Sequence, residues 1–323
     1  MTGELTPARE ALLRANADSV FGADRAARFD VREEWRRAAD RGLGLLFRGE
    51  PGYPELLRPL PDAPLVLYVQ GRFEPEKDAL AFVGSRQPTP YGRRMTRQLV
   101  REAAGRFVIA SGLARGIDTE AHRAALDAGG ATWAVLGSGL ARPYPPENEP
   151  LAREIAAGGG CLLSEYPLDT EPLPAHFPRR NRIVAGLSWG TVVVEGRDRS
   201  GSLITARLAA AQGREVFAVP GPADSPLSEA PLRLISQGAR LVRTIRDILP
   251  ELPPSCQEAP LPGLLAPEHQ KILQLLGSET RSVAELGEDA GLAIPRLTQI
   301  LFELELQDLV EAVPGQRYAK KSS

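Results

Sequence analysis

From Ala79 onward, short apolar runs alternate with stretches of helical spacing. The runs Ala79–Val83, Phe107–Ala110, Thr132–Leu136, Cys161–Leu163, Thr191–Val194, Val216–Val219 and Arg240–Val242 have the length of buried strands. Between them, Arg93–Ala104, Thr119–Ala128, Leu151–Ala157, Arg180–Leu187, Ile204–Gln212 and Pro231–Ser236 place apolar residues at helical intervals. This alternation predicts an α/β domain with a mostly parallel sheet and helices on both faces. Ahead of it, Ala11–Ala15 and Trp35–Leu46 have helical spacing. Pro51, Pro54, Pro59, Pro61 and Pro64 then mark a boundary, with Leu65–Val69 a strand at the edge of the next domain. A second Pro-dense break runs from Pro250 to Pro267. Three helical patterns follow (His269–Leu276, Val283–Ala290, Pro295–Asp308), then Val310–Val313, Pro314-Gly315 and Arg317–Ala319, the outline of a winged helix. The expected domains are a small helical one over 1–60, the α/β domain over 61–250, a linker over 251–266 and the winged helix over 267–323.

In such a sheet ligands sit beyond the carboxyl ends of the strands, and four unusual loops fall there. Gly84-Ser85-Arg86 combines a glycine that admits close approach, a hydroxyl and a bidentate cation, with a helix start nearby to favour an anion. It reads equally as a plain turn with a surface arginine. In Ser111-Gly112-Leu113-Ala114-Arg115-Gly116-Ile117-Asp118, Arg115 is placed to reach the pocket of Arg86, and Asp118 to cap the next helix rather than serve as an acid. His176-Phe177-Pro178-Arg179-Arg180-Asn181-Arg182 opens a helix whose later residues are apolar. Its guanidinium groups and N-terminal dipole would meet one anionic partner, and Phe177 offers a flat surface to a base. The alternative makes Phe177 a staple on the helix and the arginines a solvated face. Glu195-Gly196-Arg197-Asp198-Arg199-Ser200-Gly201-Ser202 ends on a helix start, a second amide-lined anion site, with Glu195 expected to be ion-paired to an arginine rather than catalytic. Gly137-Ser138-Gly139 reads as a structural turn, because Arg142 stands where a dinucleotide fingerprint needs its third glycine.

Charge changes the picture by its distribution. The chain of 323 residues has a formal net charge of −2, yet residues 80–243 carry 20 basic and 15 acidic side chains, against 12 and 14 over 1–79 and 6 and 9 over 264–323. Phosphate contacts are local, so a basic middle between acidic flanks is compatible with nucleic acid. Between His176 and Arg214 seven arginines face only Glu195 and Asp198. Cys161 and Cys256 lie far apart, His122, His176 and His269 are scattered, and no phosphate-binding loop of the ATPase type occurs. The expectation is therefore no catalytic centre, no metal and no cofactor. No run reaches the ~18 apolar residues of a membrane span and the first residues lack a secretory core, so a cytoplasmic protein is expected.

The segments Val83-Gly84-Ser85-Arg86, Ser111 to Asp118, Phe177-Pro178-Arg179-Arg180-Asn181-Arg182-Ile183, Ser200 to Ala206 and Gly213 to Gly221, in this order within Leu65–Leu249, together resemble the DprA/Smf family of bacterial DNA-processing proteins. The resemblance implies an extended Rossmann-like fold that binds single-stranded DNA without catalysis and forms a homodimer. It also implies a role in natural transformation and recombination, loading the RecA recombinase while relieving inhibition by single-strand-binding protein. Carried onto this chain, it has Arg86, Phe177, Arg180, Asn181 and Arg182 meet DNA, with Ser85, Arg115, Gly201 and Ser202 nearby. Some relatives place a lysine shortly before the motif Phe. Here Leu173-Pro174-Ala175-His176 stand there, leaving that contact missing or supplied by Arg179 or His176. Similar proteins often carry a small N-terminal helical domain, of the SAM or helix-hairpin-helix kind, and a C-terminal winged helix. The third winged-helix pattern here holds Arg296 against Glu303, Glu305 and Asp308, which predicts a protein contact rather than a duplex reader. The rival reading is a nucleotide-processing enzyme of a related fold, a nucleoside monophosphate phosphoribohydrolase, whose Pro-Gly-Gly-x-Gly-Thr pattern this chain lacks.

Overall fold

The structure is a computed structural model, and it describes residues 4–22, 27–256, 267–277, 280–306, 309–313, 315 and 317–321. The chain divides into two compact units, Met1–Pro260 and Leu261–Ser323. Residues 257–266, most of the expected linker, lie outside the described residues.

The first unit is built on a nine-stranded sheet. Its strands are β1 (Gly44–Phe47), β2 (Val66–Gly71), β3 (Ala79–Val83), β4 (Val108–Ser111), β5 (Thr132–Val135), β6 (Cys161–Ser164), β7 (Gly190–Val193), β8 (Glu215–Ala218) and β9 (Arg240–Leu241), in the order β1-β2-β6-β5-β4-β3-β7-β8-β9. From β6 to β9 neighbours run parallel, whereas β1 and β2 join antiparallel. Every residue of β3 to β7 is buried, as expected of strands covered on both faces. Alternation along β5 divides the core: Trp133 and Val135 join Tyr53, Leu57, Ile183 and Leu203 on one face, while Ala134 and Leu136 join Leu13, Phe47, Tyr68 and Ile155 on the other.

The helices are α1 (Pro7–Phe21), α2 (Val31–Asp40), α3 (Pro90–Ala103), α4 (Ile117–Asp127), α5 (Glu149–Ala157), α6 (His176–Gly186), α7 (Gly201–Ala211) and α8 (Glu229–Ser236). Local chemistry sets several starts: the Thr6, Asp30 and Thr89 side chains accept from backbone N–H groups of the first turn, with proline at the opening of α1 and α3.

The first sixty residues differ from expectation. They are not a separate unit, because Leu13, Val31 and Ala38 pack into the same core as β2 and α5. The pattern Trp35–Leu46 is also not one helix. The chain turns at Gly42 (φ +66°) and resumes as β1, where alternate burial of Leu45 and Phe47 gives the period of a strand. The Pro-rich stretch is likewise no boundary: Tyr53, Leu57, Leu60 and Ala63 are core residues, and the Tyr53 hydroxyl donates to the Pro64 carbonyl at 2.6 Å.

After β3 the chain fills one side of the sheet with β4, β5 and β6, then crosses to the other side of β3 for β7, β8 and β9. Strand order reverses between β3 and β7, and in open sheets of this kind the ligand crevice lies at that point, beyond the carboxyl ends.

In the second unit α9 (Pro267–Leu276), α10 (Val283–Ala290) and α11 (Ile294–Leu306) enclose Ile272, Leu286, Leu297 and Leu301. They pack with a sheet of β10 (Arg281–Ser282), β12 (Arg317–Lys320) and β11 (Val310–Val313), the winged-helix arrangement. Ser282 and Glu285 form a capping box on α10. Pro314 and Asp308 of the expected outline lie outside the described residues.

Candidate nucleic-acid interface

The crevice is assembled from loops that touch. Ile117 N–H donates to the Ser85 carbonyl at 3.1 Å, joining the loop after β3 to the loop after β4. Gly116 makes this possible: it sits at φ +80°, and a Cβ there would lie 2.2 Å from the Ser85 oxygen. The loop after β7 borders the same place, since a Cβ on Gly84 would lie 3.0 Å from the Glu195 carbonyl oxygen. Arg86 projects from this junction, exposed and with neither hydrogen bond nor ion pair among the described residues. The Ser85 hydroxyl accepts from Gln87 N–H at 3.1 Å and so holds the turn that presents Arg86.

Arg180 lies beneath. Its guanidinium is buried and donates to the carbonyls of Gly112 and Val135, tying together the carboxyl ends of β4 and β5. A side chain at position 112 would collide with it, a Cβ falling 2.4 Å from Nη1. Burial lowers the Arg180 pKa to about 10, opposed by the charge of Asp118 and reinforced by that of Arg86. Asp118 does not cap α4 as expected. It lies inside the helix and accepts from Gly112 N–H (3.1 Å) and Ala114 N–H (3.3 Å), so it shapes the loop. Burial raises its pKa, and the Arg180 charge works against that rise.

Phe177, half-buried at the start of α6, lies over Gly137, where a Cβ would come within 2.9 Å of the ring. The turn Gly137-Ser138-Gly139 is thus the seat of an aromatic ring. Arg115 is exposed and paired with Glu147. Asn181 is half-buried on α6, one residue after Arg180. Gly201, exposed with open space around it, and Ser202, buried and 2.7 Å from the Ser200 hydroxyl, form the start of α7 beyond β7.

The arginines of α6 do not share one groove. Arg182 is buried and bidentate to Glu165 (2.8 and 2.7 Å), with Asp62 at 3.2 Å. Arg179 donates to the Ser19 carbonyl (2.9 Å) and hydroxyl (2.7 Å). Both tie α6 to the N-terminal segment, because buried Glu165 at the end of β6 and the groups of α1 lie on that side of the helix. Of the two residues named for the missing lysine's place, Arg179 is thus already bonded to Ser19, and the His176 ring stacks on Tyr166 at 4.3 Å. Arg214 donates to the Leu56 carbonyl at 2.8 Å, so it too is spent on the Pro-rich segment. Glu195 differs as well. Its partner is no arginine but Thr89, through N–H (2.9 Å) and hydroxyl (2.5 Å) at the positive start of α3. Among the described residues no cluster of metal-ligating side chains occurs, and no helix is long and apolar enough to cross a membrane.

Comparison with known proteins agrees with the fold. The family model described as DNA recombination-mediator protein A matches residues 44–253, and that of the DprA winged helix domain matches residues 256–316. The chain is 45% identical over 275 residues to protein Smf of Escherichia coli (81% of this chain, 74% of that one). It is 42% identical over 217 residues to DNA processing protein DprA of Bacillus subtilis (66% and 73%). The X-ray structure of DNA processing protein A from Streptococcus pneumoniae superposes with a TM-score of 0.64 at 38% identity, covering 71% of this chain and 81% of that one. DNA processing protein A from Helicobacter pylori, whose structure is described for its single-stranded DNA binding mode, superposes with a TM-score of 0.59 at 30% identity (65% and 97%). By these matches, running through both compact units, the chain belongs to the DprA family of DNA-processing, recombination-mediator proteins.

Proposed function

We propose that the crevice at the strand-order reversal holds single-stranded DNA. The observation that carries this reading is Arg86: an exposed cation without a partner among the described residues, held by interlocked loops and close enough to the buried Arg180 for their charges to interact. Arg86 takes a phosphate, Phe177 stacks a base, and Arg115 takes a second phosphate when it leaves Glu147. Gly201 and the start of α7 lie along the same rim, with Ser85 and Ser202 shaping it and Asn181 offering an amide. In this reading Arg179, Arg180 and Arg182 do not touch the strand. Arg180 instead fixes the loops and adds positive potential from below, while the other two anchor α6.

The role proposed is binding without chemistry. Glu195, the carboxylate a nucleotide-processing enzyme would need here, is already engaged by Thr89. The strand is proposed to pass to the RecA recombinase and to be released from single-strand-binding protein, with a homodimer as the acting species. Support for this step is membership of a recombination-mediator family.

Anisotropy titrations with labelled oligo-dT and with a duplex of equal length test the reading, with tighter binding of the single strand expected. Binding of neither would overturn it. RecA-driven strand exchange on DNA coated with single-strand-binding protein should speed up on addition of this protein; no change would remove the loading role. Turnover of nucleoside monophosphates that is lost in Glu195→Gln would favour the enzyme instead.

A further inference from the structure

Sequence reading placed one aromatic at the crevice, but the structure places two. Tyr144, in the segment after β5, has its ring centroid 5.5 Å from that of Phe177, with the planes tilted by 49°. It is one of few large apolar side chains left exposed, at 36%. The segment is firmly held: Pro143, Pro145 and Pro146 stiffen it, and Asn148 Nδ2 donates to the Leu113 carbonyl and the Thr119 hydroxyl, both at 2.9 Å. Tyr144 is therefore a fixed ring on a fixed loop.

The Arg115 guanidinium lies over this ring, 6.0 Å from its centroid, and pairs with Glu147 two residues past Pro145. The guanidinium is held by the Tyr144 side chain as well as by Glu147, so ring, cation and carboxylate form one exposed cluster. The carboxylate beside it stands where a phosphate would meet the same guanidinium. Arg115 and Glu147 are each about half exposed (49% and 50%), so their pairing is weakly held in water.

We infer that Tyr144 is a second base-stacking residue of the crevice, forming with Phe177 a two-ring ledge on which successive bases of a single strand lie; this rests on the single-strand reading above. A base on Tyr144 displaces the Arg115 guanidinium, which exchanges Glu147 for a backbone phosphate.

The test uses the full chain, oligo-dT and an abasic oligonucleotide of the same length. Stacking on one ring corresponds to about tenfold in affinity. Tyr144→Ala should weaken oligo-dT binding by about that factor, leave abasic binding and the salt slope unchanged, and Tyr144→Phe should recover most of the loss. An equal loss on both oligonucleotides, or no loss on oligo-dT, would overturn the inference. Independently of any variant, photocrosslinking of the unaltered protein to oligo-dT carrying 5-iodouracil should map to Tyr144 or Phe177, and crosslinks confined to other residues would also overturn it. Failure of the unaltered protein to bind either oligonucleotide is a separate result that removes the single-strand reading itself.

Discussion

Arg86 and Arg182 are the same residue type, both within motifs that resemble one family, and the fold uses them in opposite ways. Arg86 stands exposed at the end of β3 with no acceptor among the described residues, while Arg182 is buried with Glu165, Asp62 and two backbone carbonyls around it. A buried guanidinium is tolerated only when its charge and donors are satisfied, and once satisfied it has nothing left for a ligand. An exposed, unpaired one costs the fold little and keeps its donors for a phosphate. The difference teaches that arginine density along a sequence does not measure positive surface. Three of the seven arginines between His176 and Arg214, namely Arg179, Arg182 and Arg214, hold the N-terminal segment to the sheet.

The comparison breaks most visibly at Arg182. Arg182→Ala leaves the buried Glu165 carboxylate only the more distant Arg179, at 3.5 Å, and should destabilise the first unit by up to about 3–5 kcal/mol, read by urea unfolding. A variant as stable as the parent that has lost oligo-dT binding would exchange the two roles. A smaller loss, about 2–4 kcal/mol, is expected for Arg180→Met, which removes donors to two buried carbonyls and the cation facing Asp118. This loss carries a pH signature. Asp118 has its folded pKa raised above the unfolded value, so its ionisation takes stability away as pH rises through the folded pKa. Removing Arg180 raises that pKa further. The deficit of Arg180→Met should therefore shrink as pH falls from about 7 toward about 4, seen in unfolding curves at each pH; a constant deficit would separate Arg180 from Asp118.

The smallest effect concerns the second unit. Its helix α11 carries Arg296, and that guanidinium is already bonded to Glu268 at 2.6 Å and 3.0 Å. Removing residues 264–323 should change oligo-dT affinity by no more than about twofold, because few free cations leave with them. A loss of tenfold would place strand contacts in the winged helix.

Much of this architecture was legible. Of the seven runs from Ala79 to Val242, the five that form β3 to β7 read as strands because both faces of the sheet are covered there, whereas β9 (Arg240–Leu241) is exposed at the sheet edge. Gly84-Ser85-Arg86 and the Gly112 to Gly116 loop read as a strand-end site because glycine, cation and helix start coincide there. The direction in which α6 turns its arginines was not legible. It depends on Glu165 and Ser19, residues remote in sequence that no local pattern pairs with Arg182 or Arg179. Tyr144 was hidden in the same way. It follows a glycine turn that looks structural, and only the packing of Phe177 over Gly137 brings the two rings together. The strand β1 was missed because four residues beside an amphipathic helix show too little alternation to mark a change of period.

The salt dependence of oligo-dT binding in Arg86→Ala and in Arg182→Lys tests the account most directly. Arg86→Ala should lower affinity about tenfold and make the slope of log affinity against log salt shallower by about 0.7, one phosphate contact on a single strand. Arg182→Lys should keep the parent slope. An unaltered slope in Arg86→Ala, or a shallower one in Arg182→Lys, would contradict the assignment of the crevice.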